Sequence, residues 1–400
     1  MLVEALATLA GWLVGIGTGL IPGLHTNLIA ATALSLAPIL SFASQQAIAL
    51  FIFSVALVHS FVSIIPSVFL GAPDEDTVMA VLPGHRMLLR GKAYDAVRLS
   101  VLGSALGVVC SIAIAPIFYF MLPLLYSVLK PFLGVLLIVI ASFLITSEQN
   151  IDRMLSALLV FLLTGLFGLF VLDSNVKEPL LPMLSGLFGF SGLVISFLRK
   201  NSFPEQIVST GKLPINNVEA AKAAVAATLA GSTILLFPAL GPSQAAAMFS
   251  NVLRKEGSYL TMIGGVNTIN ILLSMISAAT IGKARNGSTA AISQVLPKLD
   301  ASAIALFFGA AIGIAMASYF VTLALAAKFS KIVPKLNYQL LSIGVFVFVS
   351  LLVLFVSGLK GLAVLIVGTL IGILAIRLGT SRSHCMGCLL LPTILWLVFN

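Results

Sequence analysis

The chain repeatedly contains apolar runs of about 17–25 residues, the length at which an α-helix crosses the hydrocarbon core of a bilayer. Sixty per cent of its 400 residues are hydrophobic and only 9% are charged. A soluble domain usually carries about 25% charged residues, because its surface must face water. The sequence therefore predicts an all-α polytopic membrane protein.

Two of the apolar segments are interrupted by proline and glycine at matching positions. The first reads Gly-Ile-Gly-Thr-Gly-Leu-Ile-Pro-Gly-Leu-His-Thr-Asn at 15–27, and the second reads Gly-Ser-Thr-Ile-Leu-Leu-Phe-Pro-Ala-Leu-Gly-Pro-Ser-Gln at 231–244. Proline removes a backbone donor and breaks a helix, and lipid tolerates the break only where protein or a cavity surrounds it. Broken helices at corresponding places in two halves indicate the binding site of a transporter.

The other apolar runs predict about ten transmembrane helices in addition to two interrupted or re-entrant helical hairpins. We expect a first membrane repeat at 1–200, a linker at 201–220 and a second membrane repeat at 221–400. The predicted spans are 47–70, 98–126, 131–147, 153–172, 179–199, 259–281, 302–327, 340–357, 360–377 and 386–399.

The second half repeats the order of the first, which indicates a duplication. A polar residue stands twelve positions before a glycine in both halves, His59 before Gly71 and Asn270 before Gly282. If neither interrupted segment makes a net crossing, 16 of the 22 Lys and Arg residues fall on one side of the membrane. The positive-inside rule favours that arrangement. Each half then crosses five times, so the repeats are inverted, the N-terminus is outside and the linker is cytoplasmic.

The interrupted segments supply the candidate substrate-binding residues. A helix that restarts after a break presents free N–H groups and a partial positive charge, which suit an anion. The alternative is a pair of helix kinks, capped by Thr and Ser, that serve packing alone. The candidates are Gly23, Leu24, His25, Thr26, Asn27, Leu240, Gly241, Ser243 and Gln244.

Five further polar residues are candidates for ion coupling or a secondary polar role. His59 lies within a span, where an ionisable group tends to be functional, although a neutral histidine bonded between helices is an equal alternative. Asn267 and Asn270 share one helical face and bind substrate or a cation, or else join helices. Asp74 and Asp76 are carboxylates for Na⁺ or H⁺ coupling, or parts of a charged, solvated loop.

Several other functions lack support in the sequence. Signatures such as His-Glu-x-x-His, Gly-x-Ser-x-Gly and Gly-Lys-Ser/Thr are missing, so we expect neither an enzyme nor an ATP-driven pump. No basic run interleaved with aromatic residues indicates nucleic-acid binding. His384-Cys385-x-x-Cys388 is an isolated Cys-x-x-Cys pair, for which we expect no metal site. All Lys and Arg residues fall in loops or near span ends, so no cation is expected within a span.

The first motif, Gly15-x-x-x-Gly19-x-x-Pro22-Gly23-Leu24, and its looser copy at 231–241 resemble the large permease of the tripartite tricarboxylate transporters. Histidine after Pro-Gly-Leu and the His-Cys-Met-Gly element are similar to the archaeal, stand-alone members. The resemblance implies a secondary carrier of carboxylates such as citrate, without a cofactor and driven by a Na⁺ or H⁺ gradient. It also implies two partners, a small membrane subunit and an extracytoplasmic solute-binding protein. The second copy departs from the pattern, with Pro238-Ala-Leu-Gly in place of Pro-Gly-Leu-Gly.

Three hypotheses for the function follow. The first is a permease for small organic anions, such as di- and tricarboxylates, that works by alternating access in the cell membrane. The second is a translocase for a lipid-linked phosphate such as a polyprenyl phosphate, and the third is a membrane scaffold that transports nothing. The sequence leaves open the substrate, the coupling ion and the choice between monomer and homodimer.

Overall fold

We describe the protein from a computed structural model. The described residues are 2–21, 30, 33, 44–71, 78–198, 204–237, 240–249, 253, 255–296, 298–335 and 338–399. Within these ranges the chain is helical and contains no β-strand. The helices are rich in Leu, Ile, Val, Phe and Ala, whose side chains contact lipid on one side and neighbouring helices on the other.

The helices follow one another through the two predicted halves. Those of the first half are α1 (Leu2–Leu20), α2 (Gln45–Val62), α3 (Ile64–Phe69), α4 (Val78–Leu88), α5 (Ala93–Leu129), α6 (Leu133–Thr146), α7 (Ile151–Asp173), α8 (Leu180–Leu184), a π-helix (Ser185–Phe190) and α9 (Ser191–Leu198). Those of the second half are α10 (Asn217–Leu236), α11 (Pro242–Met248), α12 (Glu256–Ile281), α13 (Gly287–Val295), α14 (Ala301–Ile332), α15 (Tyr338–Arg377), a 3₁₀ turn (Arg382–Met386) and α16 (Gly387–Phe399).

Nine helical stretches of the described chain are long and apolar enough to cross a membrane. The prediction of an all-α polytopic membrane protein is therefore confirmed. The nine include Leu2–Leu20 and Asn217–Leu236, the helices that begin the two interrupted segments. The spans expected at 98–126 and 131–147 are the successive helices α5 and α6 of one stretch, Ala93–Thr146, and the span expected at 179–199 is only a shorter apolar helix, Leu180–Ile195. The spans expected at 340–357 and 360–377 are the two parts of α15 on either side of Gly358, which leaves helical geometry with φ 69° and ψ −167°.

The centre of the molecule is formed by the two spans that follow the interrupted segments. In the most apolar window of Gln45–Phe69, 94% of the residues are buried, and in that of Glu256–Ile281 the share is 89%. The corresponding window of Leu2–Leu20 is only 22% buried. Helices α2 and α12 are thus enclosed by protein, while most other spans present one face to lipid.

Each half packs against the central helix of the other half. Helix α5 crosses α12 so closely that a Cβ on Gly103 would lie 1.8 Å from the carbonyl oxygen of Thr261. A Cβ on Gly264 would lie 2.0 Å from that of Ser100. Helix α14 packs on α2 in return. Small residues permit such contacts because lipid provides no hydrophobic drive between helices, so close packing must hold them together.

The loops meet in two separate groups. Each contact between loops joins segments that the charge count assigns to the same side of the membrane. The contacts are Arg90–Glu256, Arg98–Ser209 and Glu148–His384 on one side, and Glu178–Ser357 and Arg285–Tyr126 on the other. The fold therefore has two ends, one of which carries the linker between the halves.

Candidate functional site

The second interrupted segment leaves helical geometry between α10 and α11. Helix α10 ends at Leu236, the next residue is extended with φ −95° and ψ 124°, and α11 begins at Pro242. Proline suits a first helical position because its missing N–H would have had no partner there. The backbone N–H of Gly241 donates to Gln244 Oε1 at 2.9 Å. The Gln244 oxygen thus caps its own helix, while Leu240, Ser243 and Gln244 are all buried.

The first interrupted segment is described only up to Ile21, one residue beyond the end of α1. Its predicted substrate-binding residues Gly23, Leu24, His25, Thr26 and Asn27 lie outside the described residues. The same holds for Asp74 and Asp76, which were predicted as coupling residues. These seven assignments stay predictions.

His59 takes part in a hydrogen bond between helices. Its side chain is 3% exposed, and its Nδ1 lies 3.3 Å from Thr18 Oγ1 on α1. The next residue, Ser60, places its hydroxyl 3.2 Å from that of Thr268 on α12. A layer of polar side chains therefore connects α1, α2 and α12 at the middle of the molecule.

Two asparagines of α12 border this layer and are not satisfied by the protein. Asn267 and Asn270 are 1% and 3% exposed. In the described structure, both amide atoms of Asn267 and Oδ1 of Asn270 are buried without a hydrogen-bond partner. An unsatisfied buried polar group costs about 1–3 kcal/mol, so native proteins seldom keep one without a role. Because these amide atoms have no partner among the described residues, they do not hold helices together. Both side chains are therefore suited to bind a ligand.

The outer end of this polar face is completed by the turn after α12. Asn286 Nδ2 donates to the carbonyl oxygen of Asn270 at 3.4 Å, and Asn286 Oδ1 accepts from the Thr289 N–H at 2.7 Å. Asn286 thereby caps α13 and ties it to α12. The Arg285 N–H donates to Ser274 Oγ at 2.8 Å. The turn is thus held against the same helix that carries Asn267 and Asn270.

Two arginines near span ends have guanidinium atoms in the interior, Arg382 almost wholly and Arg285 in part, which the sequence did not reveal. Arg382 is 8% exposed and donates to the carbonyl oxygens of Phe188 at 2.8 Å and Leu187 at 2.9 Å, and to Ser191 Oγ. Those carbonyls belong to or border the π-helix, whose widened turn frees backbone acceptors. Arg382 therefore satisfies backbone groups of its own fold.

Arg285 differs from Arg382 because it donates to no acceptor through its buried edge. Its Nε and Nη2 are buried, and no described residue accepts a hydrogen bond from them. Burial lowers the pKa of the Arg285 guanidinium, with Tyr126 opposing the shift. Arginine nevertheless remains protonated in proteins. Its sequence context, Gly282-Lys-Ala-Arg-Asn-Gly, indicates a turn but carries no signal of burial.

The C-terminal His-Cys-Met-Gly-Cys element lies in the interior beside α11. His384 Nε2 lies 2.8 Å from Glu148 Oε1 in the loop between α6 and α7, and both cysteine side chains are fully buried thiols. Within the described ranges no three His, Cys, Asp or Glu side chains form a group that could hold a metal ion. The element therefore anchors the C-terminal helix to the rest of the protein.

In the described part of the chain, nine apolar helical stretches surround a buried polar layer, and these features define a multi-pass membrane protein. Residues 5–387 match the profile of the tripartite tricarboxylate transporter TctA family. The chain belongs to this family of transport permeases, so the family expected from the two motifs is confirmed.

One similar protein comes from Methanocaldococcus jannaschii. It is an uncharacterized protein that is 28% identical to this chain over 409 residues, which cover 99% of each sequence. The similarity therefore extends through both halves. No solved structure matches the chain.

Proposed function

We propose that the protein is a secondary active transporter for small organic anions, such as di- and tricarboxylates, coupled to a Na⁺ or H⁺ gradient. The membership in a permease family supports this function. The structural support is the unsatisfied amide of Asn267, because its NH2 group and its carbonyl oxygen are both buried without a partner in the described structure. Its Nδ2 suits a carboxylate oxygen and its Oδ1 suits a cation.

The unsatisfied layer argues against a scaffold that transports nothing. A scaffold would gain stability from apolar side chains at positions 267 and 270, because buried polar groups without partners only cost free energy. A carrier has a reason to retain them, since a substrate satisfies the groups when it binds. The layer also lies on α12, beside the interrupted segment that ends in α11.

Alternating access between two inverted repeats is the proposed mechanism. Its support is the reciprocal packing of the halves, in which α5 lies on α12 and α14 lies on α2. Such exchanged contacts are expected of a duplicated fold with two equivalent central helices. In this mechanism one half moves relative to the other while the site near the membrane midplane stays fixed.

The binding site in this proposal combines both interrupted segments with five secondary polar residues. Residues 23–27, together with Leu240, Gly241, Ser243 and Gln244, contact the substrate. His59, Asn267, Asn270, Asp74 and Asp76 provide the secondary polar groups, with Na⁺ as one candidate coupling ion. No catalytic chemistry is assigned to any of them.

The proposed setting is the cell membrane, with the N-terminus outside and the linker at 201–220 in the cytoplasm. A small membrane subunit and an extracytoplasmic solute-binding protein are the proposed partners, as in tripartite systems of this family. Membrane lipid surrounds the exposed apolar faces, and a homodimer is compatible with this arrangement.

Uptake into liposomes tests the proposal. Purified protein is reconstituted, and entry of labelled citrate and succinate is measured with a Na⁺ gradient, with a pH gradient and with neither. We expect uptake that depends on one of the gradients. Asn267→Leu should abolish uptake, while Thr268→Val, at the neighbouring buried position, should retain it. Failure of the wild type to take up or bind either carboxylate under all conditions would reject the proposed substrate class.

A laterally open groove supports the second candidate, a translocase for a lipid-linked phosphate. The groove lies between α5 and α14 and has a volume of about 440 Å³. Its lining is apolar, as a lipid tail requires, and consists of Ala105, Val108, Val109, Ile112, Ile312, Ala315, Met316, Tyr319 and Phe320. Thermal stabilisation by a polyprenyl phosphate, together with none by citrate, would favour this candidate over the carboxylate carrier.

A further inference from the structure

The turn between α12 and α13 contains a partly buried arginine without a carboxylate partner in the described part of the chain. The side chain of Arg285 lies over the ring of Tyr126, with Cζ 5.5 Å from the ring centroid. The described ion pairs are Arg86 and Arg90 with Glu256, Arg98–Asp95, Lys255–Glu219 and His384–Glu148. The positive charge of Arg285 is thus left without a fixed counter-charge in the described structure.

The unpartnered atoms of Arg285 have a specific geometry. Nε and Nη2 lie on the same edge of the planar guanidinium, and both are buried without an acceptor in the described protein. The two N–H groups on such an edge are parallel and match the two oxygens of one carboxylate. Arg285 Cζ lies over the ring of Tyr126, which interacts with the charge, and a side-chain hydrogen bond with Tyr126 opposes the lowering of the Arg285 pKa by burial. The edge is therefore left for an oxyanion.

Arg382 and Arg285 differ in how much of the guanidinium group is hydrogen-bonded to the protein. Arg382 donates through Nη1 and Nη2 to two backbone carbonyls and to Ser191, so that in the described structure only its Nε is buried without an acceptor. The backbone N–H of Arg285 donates to Ser274 Oγ, and its side chain interacts with Tyr126. The turn and Tyr126 position the side chain, but the buried Nε–Nη2 edge donates no hydrogen bond to the described protein.

Arg285 stands at one end of the polar face of α12. Asn267, Asn270 and Ser274 follow one another at intervals of three and four residues and so share this face. With a rise of 1.5 Å per residue, Asn267 and Ser274 are separated by about 10 Å along the helix axis. The side chain next to Arg285, that of Asn286, donates to the carbonyl oxygen of Asn270. An anion at Arg285 would therefore be about two helical turns from the central layer.

We infer that the Nε–Nη2 edge of Arg285 binds a carboxylate group of the substrate and delivers it to Asn270 and Asn267. The inference rests on the proposed transport of organic anions and adds an entry site at the end of the molecule opposite the linker. Arg285 supplies a cation that the sequence does not place within any span. The positive charge that attracts an anion then comes from the turn packed onto α12.

The test compares Arg285→Gln and Arg285→Lys with Lys283→Gln, a control that removes the same charge from an exposed residue of the same turn. Thermal stabilisation of each purified protein is titrated with citrate, succinate and sulfate. We expect the half-saturating citrate concentration to rise about 10- to 100-fold in Arg285→Gln, as the loss of a charged hydrogen-bond donor implies. Arg285→Lys should show a smaller rise, because lysine keeps the charge without the edge, and Lys283→Gln should match the wild type.

The outcomes separate this inference from the proposed function. If citrate stabilises the wild type and Arg285→Gln equally, the entry site is refuted although carboxylate binding stands. If sulfate stabilises the wild type but not Arg285→Gln, and no carboxylate acts, the anion site is supported while the proposed substrate class fails. Stabilisation by none of the three anions refutes both. Should Arg285→Gln fail to fold, the shift between Arg285→Lys and the wild type decides the question.

Discussion

Asn267→Leu is expected to make the ligand-free protein more stable while it abolishes transport. Leucine has the same branching and the same number of side-chain heavy atoms as asparagine, with two larger methyl groups in place of the amide oxygen and nitrogen, and it carries no polar atom. The substitution removes two buried amide atoms that have no partner in the described structure, each of which costs about 1–3 kcal/mol. Because leucine must also fit the site without strain, we expect a net gain of about 1–3 kcal/mol in the free energy of unfolding.

The measurement is thermal unfolding in detergent without substrate, at one fixed scan rate because unfolding of such proteins is often irreversible. A gain of this size corresponds to a rise in Tm of a few degrees, about 1–2 °C per kcal/mol for a chain this long. Thr268→Val is the matched control. It removes the hydrogen bond to Ser60 at 3.2 Å, so it should lower the stability by about 0.5–1.5 kcal/mol.

The two substitutions are adjacent and equally buried, yet their effects should have opposite signs. A Tm below that of the wild type for Asn267→Leu would refute the reasoning, because it would mean that the amide is already satisfied in the ligand-free protein. Normal uptake by the same variant would separate Asn267 from the substrate. Higher stability together with lost uptake is the combination expected of a binding residue that is retained at a cost to the fold.

Three further predictions concern the scaffold around the site. Gly264→Ala should destabilise the protein by about 1–3 kcal/mol, because the new Cβ would lie 2.0 Å from the Ser100 carbonyl oxygen and force α5 and α12 apart. In the same unfolding assay, the control Gly313→Ala should be neutral or stabilising, because a Cβ on Gly313 would meet no neighbouring atom within 4 Å. Arg382→Met should lower Tm strongly, since two backbone carbonyls lose a charged donor, each at about 1–3 kcal/mol. Burial lowers the pKa of His85 to about 4, with a bond to a backbone carbonyl opposing the shift, so the stability it confers should be full above pH 6.5 and fall as the pH drops towards 4, and His85→Gln should flatten that part of the Tm–pH curve.

Much of the fold could be predicted from the sequence because few backbone structures are stable in a bilayer. Apolar runs of spanning length must be helices, since lipid satisfies no backbone group. The span expected at 153–172 corresponds to α7, and that expected at 259–281 lies within α12. The break expected between the spans 340–357 and 360–377 lies at Gly358, the residue at which α15 leaves helical geometry.

The candidate site could be predicted only in part. His59, Asn267 and Asn270 were noticed because polar groups within spans are costly and therefore informative. Their different states were not predictable: the imidazole of His59 is bonded to Thr18, whereas the Asn267 amide is unpartnered in the described structure. Whether a polar side chain finds an acceptor depends on which helix lies opposite it, and a local sequence pattern does not specify that neighbour.

The sequence by itself determined that this is a helical membrane protein, where its interrupted segments lie and which family it belongs to. These properties follow from local chemistry: hydropathy, chain length per span and the backbone restrictions of proline and glycine. Only the tertiary structure decided which charged groups are buried. Arg285 and Arg382 both stand near span ends in the sequence, yet packing gives both Nη groups of Arg382 a backbone acceptor and leaves the Nε–Nη2 edge of Arg285 unpartnered in the described structure. The reason is physical, because burial and hydrogen bonding belong to contacts between segments that are distant in the chain.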